Sequence, residues 1–523
     1  MKNGFLSIIF YSIFIVFVGF SIFVGFDVLD SGYILSLSKK INDGQVIYKD
    51  FDYVRPFGTP VFWALILKPF YGIQNHFFIL CRIFVLLQFF IIAYNISRVF
   101  FKCDSWDRRM FLSIPLLAML NINIFPIMPW HTIDGVFLLS FSLYYLHKKN
   151  ILLAFLFSLF AASTKQSFFL LPILVLAFSV FFKNQINLKC NIKLGILTLI
   201  SLCLILYYKI PEGISYYESG TEGKNQNMLY LVGIKMYLNS YKYFFPFFIS
   251  LIISSVLWFT KKTTAFFEVT LLFILLLSFS IPFYHWLYDI IAKRDASNYT
   301  ILSSINGLLP LCMFYQIIQF FRTKNTQEKY SISIGLFAVM IAWSSSISWG
   351  ANNILLALPF LLINTDSNTL FDKKYIPILI SLLLFTLRII NPYMEKNFTE
   401  STFSKIVNTP IYSGIYTNTK NITFLNESKE ITKKYKDVIF LPGFPAASFM
   451  FEKTKNRMPW EMNVEYVNYK KDLSLLQKKN LYFILEKKSF EDDSSSFYGS
   501  KFTDIVKTKR VIIDSTSNFY IYK

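Results

Sequence analysis

Apolar runs recur along this chain from the amino terminus to about residue 391, with short polar segments between them. A run of about twenty apolar residues can cross the hydrocarbon core of a bilayer as a single helix. The composition agrees, because 54% of the 523 residues are hydrophobic and only 16% are charged, whereas soluble globular domains carry about 25% charged residues. The runs therefore predict an α-helical polytopic membrane protein, with the lipid bilayer as a partner.

The Lys and Arg residues between the runs predict the orientation of the helices. Basic clusters favour the cytoplasmic side, and placing them there leaves about thirteen spans, with the amino terminus inside and the carboxy-terminal region outside. The net charge of +20 then requires no nucleic acid as a partner, because the basic residues do not follow one face. The spans are predicted near 5–26, 76–100, 110–127, 131–147, 150–163, 166–182, 191–208, 244–260, 264–284, 299–321, 330–347, 351–364 and 375–391.

The last part of the chain has a different composition, with mixed charges and only short apolar runs. Three of these runs predict strands, and two segments between them predict helices. The strands are predicted at 438–441, 481–485 and 511–513, and the helices at 446–452 and 470–478. The chain is thus divided into a transmembrane domain, residues 1–391, and a soluble α/β domain on the outer side, residues 392–523.

Residues 27–75 form the first outer segment, which carries most of the candidate site residues. A helix lying in the membrane interface is predicted over 31–42, where apolar residues recur at helical spacing, and a second one over 60–71. The acidic residues gathered just outside the first span favour a functional site over a plain solvated loop. The candidates for substrate binding in this segment are Asp27, Tyr33, Asp50, Asp52 and Arg55.

Asp30 is the candidate catalytic residue of the first outer segment. A carboxylate at this position can act as a general base toward a hydroxyl group of an acceptor. Its alternative role is structural, because Asp is a favoured N-cap whose carboxylate accepts hydrogen bonds from backbone N–H groups. The sequence leaves both roles open.

Further charged candidates lie at the outer ends of later spans. Arg82 is about six residues inside its span, a depth of roughly 9 Å at 1.5 Å per residue, and its planar fork suits a phosphate. Asp134, a second catalytic candidate, and His131, a substrate-binding candidate, open the fourth span, and Lys165 and Arg294 are further candidates for phosphate binding. The alternatives are snorkelling to the interface for Arg82 and Lys165, or a structural pair with an Asp for Arg82. For Asp134 the alternative is a favourable helix-dipole charge, for His131 an interfacial position without a binding role, and for Arg294 a solvated loop.

No cofactor is predicted. The five cysteines show no metal-ligand spacing, and no Gly-rich phosphate loop opens a helix. Asp50 and Asp52 form a D-x-D pair, which soluble enzymes that use nucleotide sugars employ for a metal, but the topology puts this pair outside, away from cytoplasmic nucleotides. The sequence predicts no metal ligands and leaves dependence on a divalent metal open.

Several short motifs in the first 180 residues carry a resemblance to a known family. They are Asp30-Ser31-Gly32-Tyr33, the stretch from Gly44 to Phe51, Arg55-Pro56, Arg82 and Thr164-Lys165-Gln166. In their order and topology they resemble the integral membrane glycosyltransferases of the GT-C type. The branch they resemble most contains the family-39 protein mannosyltransferases, the bacterial aminoarabinose transferases and O-antigen-modifying glycosyltransferases.

The resemblance implies an inverting transferase of the cytoplasmic (inner) membrane. Its donor would be a sugar on a polyprenyl phosphate lipid, and its acceptor a glycan or glycolipid such as lipopolysaccharide, O-antigen or another surface glycan. Asp30 matches the acid of the family's first outer loop, although Ser31 replaces the Glu that often follows it. Asp134 matches an acid that opens the fourth span, and Arg82 matches an arginine that meets the donor phosphate. Asp30 would then act as the base while cationic residues stabilise the departing phosphate.

Two other functions fit parts of the sequence. A transporter or flippase of lipid-linked sugars would carry charged residues near the bilayer midplane and paired broken helices in two related halves, whereas the candidates here gather at one face. A polysaccharide polymerase also has many spans and large outer loops, but it does not account for the carboxy-terminal domain or for the pattern around Asp30. The sequence therefore favours a glycosyltransferase.

Overall fold

The computed structural model describes most of the first 182 residues and several later parts of the chain. These parts are residues 2–26, 30–101, 109–182, 192–200, 316–346, 375–390, 402–451, 476–487 and 501–523, with short gaps in most of them, and a few isolated residues between them. The residues described within the predicted span near 191–208 are helical, whereas most of the span near 299–321 lies outside the described residues. The predicted spans near 244–260, 264–284 and 351–364 lie wholly outside them.

Ten α-helices up to residue 390 have both ends within the described part of the chain. They are α1 (Lys2–Phe23), α2 (Tyr33–Asn42), α3 (Gly58–Leu67), α4 (Phe77–Phe101), α5 (Met110–Ile124), α6 (His131–His147), α7 (Ile151–Ala162), α8 (Leu170–Phe181), α9 (Thr326–Ser346) and α10 (Tyr375–Ile390). Eight of them coincide with predicted spans, so the apolar runs there are helical as expected. The total number of spans stays a prediction.

The surface of α1 is apolar and largely uncovered by the rest of the protein. Only 17% of its most apolar window is buried, and Phe5, Ile8 and Ile15 are each about two-thirds exposed. An apolar surface of this size is unfavourable in water, whereas a bilayer would cover it. Among the described helices, α1 and α4 are long and apolar enough to cross a membrane, and α5, α7, α8 and α10 are apolar but shorter.

The two helices predicted in the first outer segment are present as α2 and α3, and they pack against each other. The Ser38 hydroxyl donates to the Pro60 carbonyl at 3.1 Å, and the Asn42 amide donates to the Ala64 carbonyl at 2.9 Å. The first six residues of α2 are buried, because α3 covers one side and the carboxy-terminal region another. Protein rather than an open membrane surface therefore surrounds the first turns of α2.

The carboxy-terminal region contains two small sheets and three helices in its described parts. Strand β1 (Phe403–Lys405) pairs antiparallel with β2 (Tyr416–Asn418). The second sheet has the strand order β3-β4-β6-β5, in which β3 and β4 are parallel and the other pairs antiparallel. Its strands are β3 (Val438–Leu441), β4 (Tyr482–Glu486), β5 (Ile512–Ser515) and β6 (Phe519–Tyr522), and the helices are α11 (Thr419–Lys434), α12 (Ala447–Met450) and α13 (Lys501–Lys509).

Three of these strands, β3, β4 and β5, fall on the apolar runs that predicted them. The side chains of β3 and β4 alternate between two buried faces: Ile439 and Phe483 belong to one apolar cluster with Val506 of α13, whereas Phe440 and Ile484 belong to the main core. The predicted helix at 446–452 is present as the short α12, and most of the one predicted at 470–478 lies outside the described residues.

Candidate functional site

The amino terminus of α6 is the centre of the candidate site. The helix begins at His131, directly after Trp130, which has an extended backbone, and no side chain in the described part of the chain caps it. The first N–H groups of a helix have no partner within the helix and carry the positive end of its dipole. This helix end is therefore suited to bind an anion.

Lys165 lies at this helix end, although it belongs to the turn between α7 and α8. Its ammonium group donates to the Thr132 hydroxyl at 3.3 Å, and the side chain is only 4% exposed. The turn is fixed locally because the Thr164 hydroxyl donates to the Ala161 carbonyl at 2.7 Å. Lys165 thus places a titratable amine, positively charged when protonated, at the end of α6.

Arg55 reaches the same place because α3 is docked tightly on the Lys165 turn. The Gly58 N–H donates to the Ser163 carbonyl at 2.8 Å, and a Cβ at Gly58 would lie 2.2 Å from the Ser163 hydroxyl. Any larger residue at Gly58 would therefore push α3 away from the turn. Arg55 precedes α3 by three residues, and this docking carries it toward Lys165.

The two cations influence each other electrostatically. Burial lowers the pKa of Lys165 to about 7, and the nearby Arg55 contributes to this shift because like charges disfavour the protonated form. Within the part of the chain that the structure describes, neither side chain forms an ion pair with a carboxylate. A bound anion would satisfy both charges.

Aromatic side chains surround the two cations. The rings of Tyr33 and Trp130 are 6.0 Å apart between centroids, those of Tyr33 and Tyr53 are 6.1 Å apart, and those of Trp130 and His131 are 4.7 Å apart. The Tyr53 hydroxyl and the His131 Nδ1 are buried and have no hydrogen-bond partner among the described residues. Such groups are rare in folded proteins, and here both belong to the residues around one cationic site.

Asp134 lies one turn further along α6. Its carboxylate accepts hydrogen bonds from the Trp63 indole N–H at 3.1 and 3.2 Å and from the Gln88 amide at 2.9 Å. The side chain is only 1% exposed, so water does not reach the carboxylate. The Trp63 and Gln88 donors supply its hydrogen bonds instead. Asp134 therefore joins α3 and α4 to α6, a connection that the sequence did not reveal.

Arg82 has partners at the end of α1. Its guanidinium donates to the carbonyls of Ile22 and Gly25 and lies 5.1 Å from the centre of the Phe78 ring. A cation at the carboxyl end of a helix is favourable because it satisfies free carbonyls and opposes the dipole. These contacts give Arg82 a structural role, and a contact with a phosphate stays a prediction.

Asp30 begins the 3-10 turn Asp30–Gly32. Its backbone lies three residues before Tyr33, whose ring contacts Trp130 beside the cationic helix end. The structure describes the backbone of Asp30 but not its side chain. Three further predicted site residues, Asp27, Asp52 and Arg294, lie outside the described residues altogether.

Asp50 is described and exposed, and its carboxylate accepts the Val46 N–H at 2.7 Å, which closes a turn. In the described parts of the chain, no group of three or more His, Cys, Asp or Glu side chains could bind a metal ion. In this structure, Asp50, the first residue of the D-x-D pair, therefore stabilises a turn.

Among known proteins, the chain is similar to solved structures but not to any protein family or curated sequence. No protein family and no curated protein sequence matches the chain. Two crystal structures of ArnT from Cupriavidus metallidurans, one in the apo state and one bound to undecaprenyl phosphate, are similar to it, with 9% sequence identity and TM-scores of 0.45 and 0.41. Each match covers 100% of this chain and 98% of the other chain. At these values the similarity carries no weight for function, which we base on the residues described above.

Proposed function

We propose that this protein is a membrane glycosyltransferase that takes a sugar from a polyprenyl-phosphate donor and transfers it to a glycan or glycolipid acceptor. The observation that carries the proposal is the meeting of the uncapped end of α6 with Lys165 and Arg55. A helix amino terminus, a lysine and an arginine together favour phosphate over other ligands, because all three supply positive charge and N–H donors.

The surface beside this cationic site favours a phosphate that is attached to a lipid. The helix ends on each side of Lys165 expose apolar side chains, which are Phe160, Phe169, Leu170 and Ile173. A soluble sugar phosphate gains nothing from such a surface, whereas a polyprenyl chain would lie against it in the bilayer. The cationic site matches the phosphate of a polyprenyl phosphate, and the apolar surface matches its polyprenyl chain.

The reaction that fits this site is a single displacement at the anomeric carbon. The acceptor hydroxyl gives its proton to the Asp30 carboxylate while its oxygen forms the new glycosidic bond. The bond between the anomeric carbon and the phosphate oxygen breaks, and polyprenyl phosphate departs with the electron pair. Lys165, Arg55 and the N–H groups at the end of α6 stabilise the charge that develops on the phosphate, and the reaction inverts the anomeric configuration.

The aromatic residues of the site fit the donor sugar. Tyr33 and Trp130 pack on each other and together offer an aromatic surface for an apolar sugar face, and the Tyr53 hydroxyl and the His131 Nδ1 can bond sugar hydroxyls. Through its hydrogen bonds, Asp134 holds α3 and α4 against α6. We propose the outer face of the inner membrane as the place of reaction, with the carboxy-terminal region outside, and lipopolysaccharide, O-antigen or another surface glycan as acceptor.

The test is transfer by the full chain in nanodiscs, with a panel of undecaprenyl-phosphate-linked hexoses and pentoses and a lipopolysaccharide fraction as acceptor. Mass analysis of the acceptor should show one added sugar. Asp30→Asn should remove the product while undecaprenyl phosphate still binds, because an amide cannot take the proton. Lys149→Ala is the matched control, since Lys149 follows the opposite end of α6 and should leave the product unchanged. Movement of the lipid-linked sugar across vesicles without any modified acceptor would instead indicate a transporter.

A further inference from the structure

The carboxy-terminal region forms hydrogen bonds with Gly25 and Phe26, just before the first outer segment. The Gly25 N–H donates to the Tyr416 carbonyl at 3.1 Å, and the Asn421 amide donates to the Phe26 carbonyl at 3.0 Å. The Phe26 ring also packs on Tyr412, with 4.7 Å between centroids. Strand β2 and helix α11 therefore hold residues 24–26 in place.

A second contact lies on the other side of Asp30. Gly32 ends the turn that Asp30 begins, and a Cβ at Gly32 would lie 2.3 Å from the Ala446 Cα. Helix α12, which follows Ala446, also packs its Phe449 ring against Phe77 at the start of α4, with 5.4 Å between centroids. The turn that contains Asp30 is thus pressed directly against the carboxy-terminal region.

We infer that the carboxy-terminal region is a positioning element for Asp30, an inference that rests on the proposed function. Asp30 lies four residues after Phe26 and two before Gly32, so both contacts are close to it along the chain. A general base must lie within hydrogen-bond reach of the proton that it removes, and a displacement of about 1 Å can reduce a rate about a hundredfold. The region therefore contributes to catalysis without touching the reacting atoms.

This role differs from that of a module that only recruits the acceptor. Loss of recruitment would raise the KM for the acceptor and leave kcat unchanged, because the bound complex would be intact. Loss of positioning would lower kcat and leave donor binding unchanged, because Lys165, Arg55 and α6 do not depend on the contact at Phe26.

Asn421 provides the variant that separates the two roles. Asn421→Ala removes the donor to the Phe26 carbonyl and to the Thr417 hydroxyl. Asn421→Asp keeps the size of the side chain but also lacks the N–H donor. Thr423→Ala is the matched control, because Thr423 is exposed on the same helix and its hydroxyl donates to the Thr419 carbonyl of that helix. Each full-length variant is compared with the parent for kcat, for the Kd of undecaprenyl phosphate, and for hydrogen exchange of residues 24–33.

The expected result is a kcat at least tenfold lower in both Asn421 variants, with the Kd of undecaprenyl phosphate within twofold of the parent. Amides of residues 24–33 should exchange about fivefold faster, which corresponds to the loss of one hydrogen bond. Unchanged kcat, a rise in acceptor KM alone, or an equal effect of Thr423→Ala would each overturn the inference while the parent remains active. A parent that is inactive with the whole donor panel would instead overturn the proposed function.

Discussion

The ammonium group of Lys165 lies 3.3 Å from the hydroxyl of Thr132, and this contact connects the turn after α7 with the first turn of α6. The two residues are 33 positions apart in the chain. Their contact brings a buried cation to a helix end that no side chain caps. An anion at this point would interact with the protonated Lys165 and with the helix dipole together.

Asp134 should be needed for structure more than for proton transfer. Asp134→Asn offers one oxygen to two N–H donors and adds an N–H group that faces them, so the free energy of unfolding should fall by about 1–3 kcal/mol. Trp63→Phe removes one of these donors, and the two changes should be strongly non-additive because they affect the same hydrogen bond. The measurement is the unfolding of the single and double variants in detergent. An Asp134→Asn protein with the parent's stability and no transfer would show that Asp134 is catalytic.

Arg82→Lys separates the structural and the phosphate-binding role of Arg82. A lysine keeps the charge but lacks the planar fork that reaches the Ile22 and Gly25 carbonyls together. We expect a lower unfolding temperature and an unchanged Kd for undecaprenyl phosphate. The opposite result, normal stability with weaker binding of the lipid phosphate, would assign the donor phosphate to Arg82.

Much of the helical structure follows from the sequence because apolar runs of membrane length have few other conformations available. The strands at 438–441 and 482–486 were also predictable, since they are short apolar runs between polar segments. Helix α11 was not predicted, because its charged residues are spread along the helix and leave only a weak apolar stripe. Its start is marked by Asn418, whose side chain accepts the Asn421 N–H at 3.0 Å, a capping signal that could have been recognised.

Some residues of the candidate site, among them Lys165 and Arg55, were named from the sequence, whereas Tyr53 and Trp130 were missed and the arrangement was not predictable. Lys165 and Arg55 are 110 positions apart in the numbering, and they meet because Gly58 allows α3 to approach Ser163. Nothing local to either residue indicates that approach. The same is true of Arg82, whose partners lie at the end of α1 and become free acceptors only when that helix ends near Phe23.

The affinity for a lipid phosphate should depend on pH through Lys165. With a pKa of about 7, Lys165 loses its positive charge as the pH rises from 6 to 8, and the protonated fraction falls about tenfold. Undecaprenyl phosphate itself titrates in this range, so the parent is compared with Lys165→Arg, which stays charged. The ratio of the two Kd values should change about tenfold between pH 6 and pH 8. A constant ratio would show that Lys165 is protonated throughout or does not meet the phosphate.

The central claim is that Lys165 and Arg55 bind the phosphate of a polyprenyl lipid, and the most direct test is the Kd of undecaprenyl phosphate for the full chain in nanodiscs. Lys165→Ala and Arg55→Ala should each weaken binding about tenfold or more at pH 6, because a charge-assisted hydrogen bond contributes about 1.5–3 kcal/mol. Lys149→Ala is the control and should bind like the parent. Parent-like binding by Lys165→Ala and Arg55→Ala alike would contradict the account.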